Sequence, residues 1–240
     1  MSLFTEGDFE MKRFLMLSIL ISVFTLMYTV ISFSEDYIYV MEWGKKGSNN
    51  GEFTKPIDIE LDASGNVYVA DASDSSVNTG GGNRIQKFDS KGNFITKWGQ
   101  YGTSSKEGNF DLLSGLEVNK SLEVIYTCEY FGSYVQVFDL NGKYKERFST
   151  DGRKNYSGIT CNKNYIYIID SKNNVIKSYF TSGGSLNKWS GEFLIPDGIA
   201  VDFMNYIYVA DTGNSRIQKY NDSELLLNVW GKYGVGDGEF

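Results

Sequence analysis

Histidine is absent from the 240 residues, and cysteine occurs only at Cys128 and Cys161. Without histidine the chain has no Ser-His-Asp triad, no histidine general base and no histidine-ligated zinc. With two cysteines and no CxxC pair, it also lacks the ligands of cysteine-rich zinc modules. The two thiols are predicted to be small buried side chains, with a disulfide between them as the alternative. The commonest catalytic and zinc-binding chemistries are thereby excluded.

Positive charge is also scarce. The chain has 23 Lys and Arg against 30 Asp and Glu, a net charge of −7. Residues 1–34 contribute −1 of this, from three acids and two bases, which leaves −6 for residues 35–240. A net acidic surface repels phosphate backbones, so no nucleic-acid partner is expected, although aromatic residues are plentiful. The aromatic residues are better explained as packing on both faces of β-sheets.

One long apolar run is present, at residues 14–33, directly after Lys12 and Arg13. It predicts an N-terminal hydrophobic helix that acts as an export signal, so residues 1–34 are a signal peptide or a membrane anchor. Ser32 and Ser34 have the spacing of a cleavage site, whereas twenty residues suffice to span a bilayer. In both cases the basic residues stay inside, which predicts an extracytoplasmic location, secreted or anchored to the membrane.

The rest of the chain is a repeat. Residues 65–88, 123–138, 164–179 and 205–220 each contain an alternating apolar run that ends in an acid, a polar turn and a second alternating run. Two such runs around a short turn predict an antiparallel hairpin. The acids are Asp71, Glu129, Asp170 and Asp211, spaced 58, 41 and 41 residues apart. A period in the forties with several strands per unit predicts β-propeller blades.

Each unit has two further short apolar runs, which completes four strands per unit. The upstream runs, at 56–62, 114–119, 157–162 and 196–202, suit the innermost strand of a blade, and the downstream runs lie at 93–99, 143–149, 185–190 and 226–231. The predicted repeats are approximately 45–99, 100–149, 150–190 and 191–231, followed by the start of a further repeat at 232–240. A lone strand at 36–44 matches the outer strand of a unit. The prediction for residues 35–240 is therefore an all-β propeller.

The sequences WGKKGSNNGEF (43–53), PDGIAVD (196–202) and NYIYVADTGNSRIQ (205–218) resemble NHL repeats. The resemblance covers roughly residues 42–240 and implies a β-propeller of four-stranded blades, usually six of them. Four repeats are encoded, so a fragment of a longer propeller, an open set of blades and an assembly of two chains all remain open. RNA-binding, zinc-dependent amidating and ubiquitin-ligase relatives of this family need features that the composition lacks.

The acids and their arginines are the candidate site. Asp71 is expected to face Arg84, and Asp211 to face Arg216, across their hairpins, while Tyr134 and Asn174 replace the arginine in the middle units. One interpretation is that each acid caps its own turn and belongs to its own blade. The other is a ring of carboxylates around one face that holds Ca²⁺, as in the lactonase-like propellers. The six residues, Asp71, Glu129, Asp170, Asp211, Arg84 and Arg216, are therefore weak binding candidates, with no catalytic or resident metal ligand assigned.

A candidate binding face is indicated by an insertion in the first unit. Residues 72–83, rich in Ser, Asn and Gly, lengthen the turn that follows the second strand. In propellers this turn shares a face with the segments between units, here 44–55 and 99–112. Loops on a rigid scaffold commonly carry binding, although unselected drift of a tolerant loop explains the insertion equally well.

The leading functional hypothesis is an exported, non-catalytic binding scaffold for an extracytoplasmic protein, glycan or small ligand. One alternative is a calcium-dependent propeller hydrolase or lactonase that uses the carboxylates, and another is a structural envelope protein. Propeller folds host many unrelated activities, so the fold does not choose among them. Self-association through open propeller edges is also expected if four units are all that is present.

Overall fold

A computed structural model describes residues 39–72, 82–103, 105–150, 152, 155–189 and 191–240. Glu42–Phe240 is one compact unit, and residues 39–41 belong to a separate unit, Met1–Met41. The predicted hydrophobic helix, signal peptide and membrane anchor at 14–33 lie outside the described residues. In the described part, helices of the length and apolar character needed to cross a bilayer are not found.

The fold is all-β, as predicted, and consists of four-stranded antiparallel sheets that follow one another along the chain. Blade 1 contains β1 (Lys55–Leu61), β2 (Val67–Ala72), β3 (Arg84–Phe88) and β4 (Phe94–Trp98). Blade 2 contains β7 (Leu113–Asn119), β8 (Val124–Glu129), β9 (Tyr134–Asp139) and β10 (Tyr144–Ser149). Blade 3 contains β11 (Tyr156–Cys161), β12 (Tyr165–Asp170), β13 (Val175–Phe180) and β14 (Ser185–Trp189). Blade 4 contains β15 (Gly198–Val201), β16 (Ile207–Asp211), β17 (Arg216–Tyr220) and β18 (Leu226–Trp230).

Two minor elements complete the described structure. The short strands β5 (Gln100–Tyr101) and β6 (Asn109–Phe110) pair in parallel between blades 1 and 2, and a 3₁₀ turn spans Thr212–Asn214. The lone strand predicted at 36–44 is not observed. Residues 36–38 are outside the described part, and 39–44 form no strand.

The blades pack face to face through apolar side chains. The innermost strands β1, β7, β11 and β15 lie next to one another in that order. Between blades 2 and 3, for example, Tyr126 and Val137 pack with Ile168 and Tyr179, all of them buried. Burying a large apolar side chain contributes about 1.5–3 kcal/mol, so these face-to-face contacts dominate the stability of the fold. Both cysteines are free thiols, as predicted, with Cys128 buried and Cys161 half-buried.

The outward faces of blades 1 and 4 are exposed. Ile59 and Leu61 of β1 are 59% and 48% exposed, whereas Leu116 and Val118, at the same positions of β7, are 1% and 2% exposed. Strand β18 is exposed along its whole length. Within the described residues, no packing comparable to that of β1 on β7 joins β15 to β1. The sequence predicts that the first and fourth units differ from the others by unpaired strand edges. Their uncovered surface is instead a pair of sheet faces, because all four separate sheets have the same kind of strand edges.

Candidate functional site

Asp71 and Arg84 of blade 1 hold the segment that leads into β1. The two residues are paired across the hairpin, as predicted, with Arg84 Nε 3.1 Å from Asp71 Oδ2. Asp71 Oδ1 accepts the N–H groups of Thr54 and Lys55, both at 2.8 Å. Because the pair is almost fully buried, the carboxylate is committed to the backbone of its own blade and is not presented to solvent.

Arg84 extends the same contact into the preceding loop. Its two terminal nitrogens donate to the carbonyl oxygens of Ser48 at 2.6 Å and Glu52 at 2.7 Å. Gln86, two residues further along β3, donates to the Glu52 carbonyl at 2.7 Å and accepts the Gly51 N–H at 3.0 Å. We call this arrangement of acid, arginine and glutamine the linker clamp, because it binds the linker backbone through both donors and acceptors.

Blade 4 has the same linker clamp. Asp211 accepts the Leu194 N–H at 2.7 Å, the Arg216 Nε–H at 2.6 Å and a Gln218 Nε2–H at 2.8 Å. Burial on its own would raise the pKa of the Asp211 carboxyl, but these hydrogen bonds, with a further one from Asn214, outweigh it and lower the pKa. Arg216 donates to the Glu192 carbonyl at 3.0 Å and so reaches the linker as Arg84 does.

In blade 2 the clamp works without an arginine. Glu129 is longer than aspartate by one methylene, and its Oε2 accepts the Asp111 N–H at 2.6 Å. Gln136 donates to the Asn109 carbonyl at 2.6 Å and accepts the Gly108 N–H at 3.0 Å. The position of the arginine is taken by Tyr134, whose ring lies 4.7 Å from the Arg147 guanidinium.

In blade 3 the acid turns to its own loop. Asp170 accepts the backbone N–H of Asn173 at 3.2 Å and the side-chain amide of Asn173 at 2.8 Å, and Lys177 Nζ lies 3.6 Å from Asp170 Oδ2. Lys177 is in the position of the clamp glutamine. The residue opposite Asp170 is Val175, so the expectation that Asn174 replaces the arginine is wrong by one position.

Asn174 instead joins two blades. Its backbone is left-handed, with φ of 54°, and its Oδ1 accepts the Ile195 N–H at 2.8 Å. Asn83 has the same place in blade 1, with φ of 59°, and its Oδ1 accepts the Leu113 N–H at 3.0 Å. Asparagine tolerates this conformation better than most residues, and its short amide reaches the start of the next blade.

The predicted capping role is therefore correct for Asp170 and, through Asn214, in part for Asp211, whereas Asp71 and Glu129 accept from linkers. The structure does not bring the four acids together at one point. Within the described residues, no group of three or more His, Cys, Asp or Glu has a geometry suited to a metal ion. The clamp glutamines were missed by sequence reasoning, although the shared Gln of RIQ and YVQ was a visible signal.

The linkers themselves are closed by a glycine and a phenylalanine. Phe53 N donates to the Lys45 carbonyl at 2.8 Å, and its ring packs so closely on Gly44 that a Cβ there would lie 2.5 Å from it. Residues 99–110 and 231–240 close in the same way, through Gly99 with Phe110 and Gly231 with Phe240. The spacing of Gly and Phe in these segments is thus structural, because a side chain at the glycine would displace the ring.

A second group of acids, which the sequence reasoning missed, lies on the innermost strands. Burial raises the pKa of Asp58 and Glu60 on β1, and that of Glu117 on β7 to about 8. The neighbouring charge of Glu60 adds to the effect of burial on Glu117. Asp58 Oδ2 accepts the Leu116 N–H at 2.9 Å, and Cys161 Sγ lies 3.7 Å from Glu117 Oε1. These carboxyls were read only as parts of strand patterns, which say nothing of their burial.

The linker side of the blades carries exposed apolar residues. Phe131, in the turn between β8 and β9, is 44% exposed, and Leu194 and Ile195, in the linker before β15, are 44% and 59% exposed. Gly213 donates its N–H to the Leu194 carbonyl at 2.8 Å, so the linker and the turn between β16 and β17 are in contact. The predicted binding face is therefore formed by these loops together, except that residues 73–81 of the insertion lie outside the described part.

Sequential four-stranded antiparallel blades with adjacent innermost strands define the described part of the chain as a β-propeller. A family model described as "NHL repeat" matches residues 193–220, which contain the linker clamp of blade 4. The described part of the chain is therefore a β-propeller in which residues 193–220 match the NHL repeat.

Similar proteins agree with this classification. Over 153 residues the chain is 24% identical to Protein brain tumor of Drosophila melanogaster, covering 63% of the chain and 14% of that protein. Over 58 residues it is 43% identical to Protein lin-41 of Caenorhabditis elegans, covering 24% of the chain and 4% of that protein. The chain thus spans a small part of these relatives.

Solved structures show the same fold at low identity. U3-55K matches with a TM-score of 0.60 at 11% identity, over 79% of this chain and 54% of that chain. Virginiamycin B lyase from Staphylococcus aureus matches with a TM-score of 0.53 at 15% identity, over 72% of this chain and 55% of that chain. The chain spans about half the length of these propellers, and the likeness concerns the fold alone.

Proposed function

We propose that the protein is an exported, non-catalytic NHL propeller that binds an extracytoplasmic protein through its linker face. We define the linker face as the segments 44–55, 99–112 and 191–197 together with the turns between the second and third strands of the blades. The observation that carries the proposal is the linker clamp, which uses the buried acid, arginine and glutamine to hold loop backbone in place. Loops held this way lose little conformational entropy when a partner binds.

The chemistry of the clamp favours binding over catalysis. The Asp71 carboxylate accepts from Thr54, Lys55 and Arg84, and the Asp211 carboxylate accepts from Leu194, Arg216 and Gln218, so both groups have their partners within the fold. The apolar side chains Phe131, Leu194 and Ile195 lie outside the clamp on the linker face. Exposed apolar groups on a rigid polar surface are typical of protein-binding sites.

The comparisons support the same proposal. NHL-repeat proteins such as Protein brain tumor and Protein lin-41 are the curated relatives that match. The propeller fold also includes lyases, and one similar structure is a catalytically inactive histidine-to-alanine form of virginiamycin B lyase with quinupristin. The 240 residues of this chain contain no histidine, so a reaction that needs one is not open to them.

A capture experiment tests the linker face. The full chain is used as bait for proteins of the cell exterior, beside a variant with Phe131→Ala and Ile195→Ala. The matched control is Phe203→Ala, which removes a 95% exposed apolar side chain from the turn between β15 and β16, at the opposite end of the blade. We expect the double variant to lose proteins that the wild type and the control capture. Equal capture by all three would contradict the proposed face.

The export half of the proposal has its own test. It rests on the apolar run at residues 14–33 after Lys12 and Arg13. A reporter enzyme that is active only outside the cytoplasm, fused after Phe240, should be active, and a fusion that lacks residues 1–34 should be inactive. Activity that does not depend on residues 1–34 would contradict export by this segment without affecting the proposed binding face.

A further inference from the structure

Blade 1 grips the outer turn of blade 2 with three side chains. Lys87 Nζ donates to the Leu140 carbonyl oxygen at 2.9 Å, and Tyr68 Oη lies 3.0 Å from the same oxygen. Trp98 packs against Gly142, where any Cβ would overlap its ring. We call Tyr68, Lys87 and Trp98 the grip of blade 1.

The gripped turn has a defined shape. It runs from Asp139 to Gly142, with Asp139 Oδ1 accepting the Asn141 and Lys143 N–H groups at 2.8 and 2.9 Å. Gly142 has φ of 83° and donates its N–H to the Asp139 carbonyl at 3.0 Å. The left-handed glycine is required twice, because other residues are strained at this φ and because the tryptophan occupies the space of a side chain.

Blade 4 carries the same grip on its outward face. Tyr208, Lys219 and Trp230 are at the positions of Tyr68, Lys87 and Trp98. The Tyr208 and Trp230 rings are 6.2 Å apart at 75°, against 6.3 Å and 71° for the pair in blade 1. Tyr208 Oη donates to Asp202 Oδ2 at 2.9 Å, as Tyr68 does to Asp62.

The difference between the two grips lies in what covers them. Lys87 is 6% exposed beneath blade 2. The ammonium of Lys219 rests 3.9 Å from the ring of Tyr206 and 5.1 Å from that of Tyr208. Trp230 is 39% exposed, and the nearby Val229 and Leu226 are 38% and 46% exposed. Blade 4 thus presents an assembled grip for an outer turn of the Asp-x-x-Gly type.

The chain contains a matching turn on its other exposed face. In blade 1, Asp89 Oδ1 accepts the Lys91 and Asn93 N–H groups at 2.9 and 2.8 Å, and Gly92 has φ of 80°. This turn therefore reproduces Asp139 to Gly142. The exposed Ile59 and Leu61 of β1 belong to the same face of the blade, as Leu116 and Val118 do on the gripped face of blade 2.

One residue of the same chain already uses this turn. Trp43 packs on Gly92, with ring atoms 2.8 Å from where a Cβ would be, and it is itself 36% exposed. Trp43-Gly44 and Trp230-Gly231 begin the same type of Gly–Phe linker. Trp230 of another copy is therefore the natural competitor of Trp43 for Gly92.

We propose that two copies of this chain associate head to tail, with the grip of blade 4 in one copy taking the turn Asp89 to Gly92 of the other. Trp230 then replaces the second copy's own Trp43 on Gly92, and Lys219 and Tyr208 reach the Ser90 carbonyl. The contact is heterologous, because two different surfaces meet. This contact uses a surface separate from the linker face. A result against self-association would therefore leave the proposed partner-binding role unchanged.

Two tryptophan substitutions give opposite results if the proposal is correct. The full chain in a mild detergent is studied by sedimentation equilibrium. Trp230→Ala should weaken self-association by about tenfold or more, since a central buried tryptophan is a typical interface hot spot. Trp43→Ala should strengthen self-association by several-fold, because Trp230 of one copy no longer has to displace the other copy's Trp43 from Gly92. Phe203→Ala, which removes a 95% exposed apolar side chain of blade 4 that is not part of the grip, should change nothing.

Cross-linking identifies the surfaces that meet. A Lys219→Cys chain mixed with a differently tagged Ser90→Cys chain should form a mixed disulfide, and Lys219→Cys alone should not form the equivalent homodimer. Thermal unfolding of each variant checks that it is folded. A monomeric wild type that Trp43→Ala leaves monomeric would overturn the proposal, and that is the result expected if another blade of a longer chain covers the grip. Equal weakening by Trp230→Ala and Phe203→Ala would also overturn it, in favour of non-specific apolar association.

Discussion

Blades 1 and 4 hold their linkers with a buried acid and an arginine, whereas blades 2 and 3 reach the same fold without the arginine. In blade 2 the longer Glu129 accepts the Asp111 N–H without an arginine opposite it, and in blade 3 Asp170 accepts from its own turn. The four sheets nevertheless have the same strand order. The difference teaches that a buried acid at the end of the second strand is common to all four blades, whereas neither its bond to the backbone ahead of the first strand nor its ion pair with arginine is needed for the strand order.

The innermost strands divide the four blades into different pairs from those that the clamp defines. At the innermost-strand position that pairs with a tyrosine of the second strand, blades 1 and 2 have the half-buried Glu60 and Glu117, whereas blades 3 and 4 have Thr160 and Ala200. Burial and the neighbouring charge of Asp58 raise the pKa of Glu60, and burial and the charge of Glu60 raise the pKa of Glu117. The residues of the clamp and the residue at this position of the innermost strand therefore vary independently from blade to blade. Each can be tested by its own substitution.

The largest effect is expected from removing the acid of a complete clamp. Asp71→Ala leaves the guanidinium of Arg84, which is 5% exposed, without its counter-charge. Such a change typically costs about 3–5 kcal/mol of unfolding free energy. Glu129→Ala in blade 2, where no arginine faces the acid, removes the acceptor of the Asp111 N–H and should cost about 1–3 kcal/mol. Urea unfolding of the full chain measures both.

Asp71→Asn is the matched control for charge, because it keeps one acceptor oxygen of the same size. The unfolding free energy of Asp71→Asn should lie between that of the wild type and that of Asp71→Ala. Equal losses for Asp71→Ala and Glu129→Ala would show that the arginine adds nothing to the clamp, and the comparison between blades with and without the arginine would then fail.

The next effect concerns the inner glutamates and depends on pH. Glu117 has a pKa of about 8 in the folded chain against an ordinary value of 4.5. Between these values the folded chain keeps a proton that the unfolded chain has released, so stability falls as pH rises from about 4.5 through 8. Glu117→Gln should remove this loss and stabilise the protein by about 2–4 kcal/mol at pH 9, with little effect at pH 4.

The check is the difference in unfolding free energy between Glu117→Gln and the wild type across that pH range. Glu107→Gln, in an exposed linker position, is the control and should change the unfolding free energy little. A constant difference for Glu117→Gln would mean that the pKa of Glu117 is not raised in the fold.

Opening the ion pair of blade 4 should cost less than opening that of blade 1, because the Arg216 side chain is 26% exposed and keeps access to water. We expect Asp211→Ala to cost about 1–3 kcal/mol and Arg216→Ala to cost less than that. The double variant should lose less than the two single losses together, since both remove one interaction. Additive losses in a double-mutant cycle would be evidence that the 2.6 Å contact contributes no coupling.

Much of the fold could be predicted from the sequence, because blade strands are local. Alternating runs, turn glycines and the spacing of the acids placed β2 and β16 and their partners, and register alone set Asp71 opposite Arg84. The backbone partners of the clamp side chains could not be predicted in this way. The atoms that Asp71 and Arg84 bind lie 16 to 36 residues earlier in the chain, on loops without periodicity. Sequence spacing indicates such contacts only when the loop geometry is already known.

The inner glutamates and the inter-blade asparagines were missed for a related reason. Glu60 and Glu117 occupy positions that alternate with apolar residues, and only the arrangement of the blades makes these positions half-buried. Asn83 and Asn174 precede a strand as ordinary turn residues would. Their left-handed backbone and their bonds to Leu113 and Ile195 follow from how successive blades meet.

The smallest effect is expected at Asn174, the residue by which blade 3, without an arginine, still holds the next linker. Asn174→Ala loses the bond to the Ile195 N–H and places an alanine at φ of 54°, for a cost of about 1–2 kcal/mol. Asn174→Gly removes the bond but accepts the backbone, so its cost should be about 1 kcal/mol or less. Hydrogen exchange at the Ile195 amide separates the two contributions, because both variants should expose that amide equally while differing in stability. An amide that stays protected in both variants would mean that blade 3 holds the linker by packing alone.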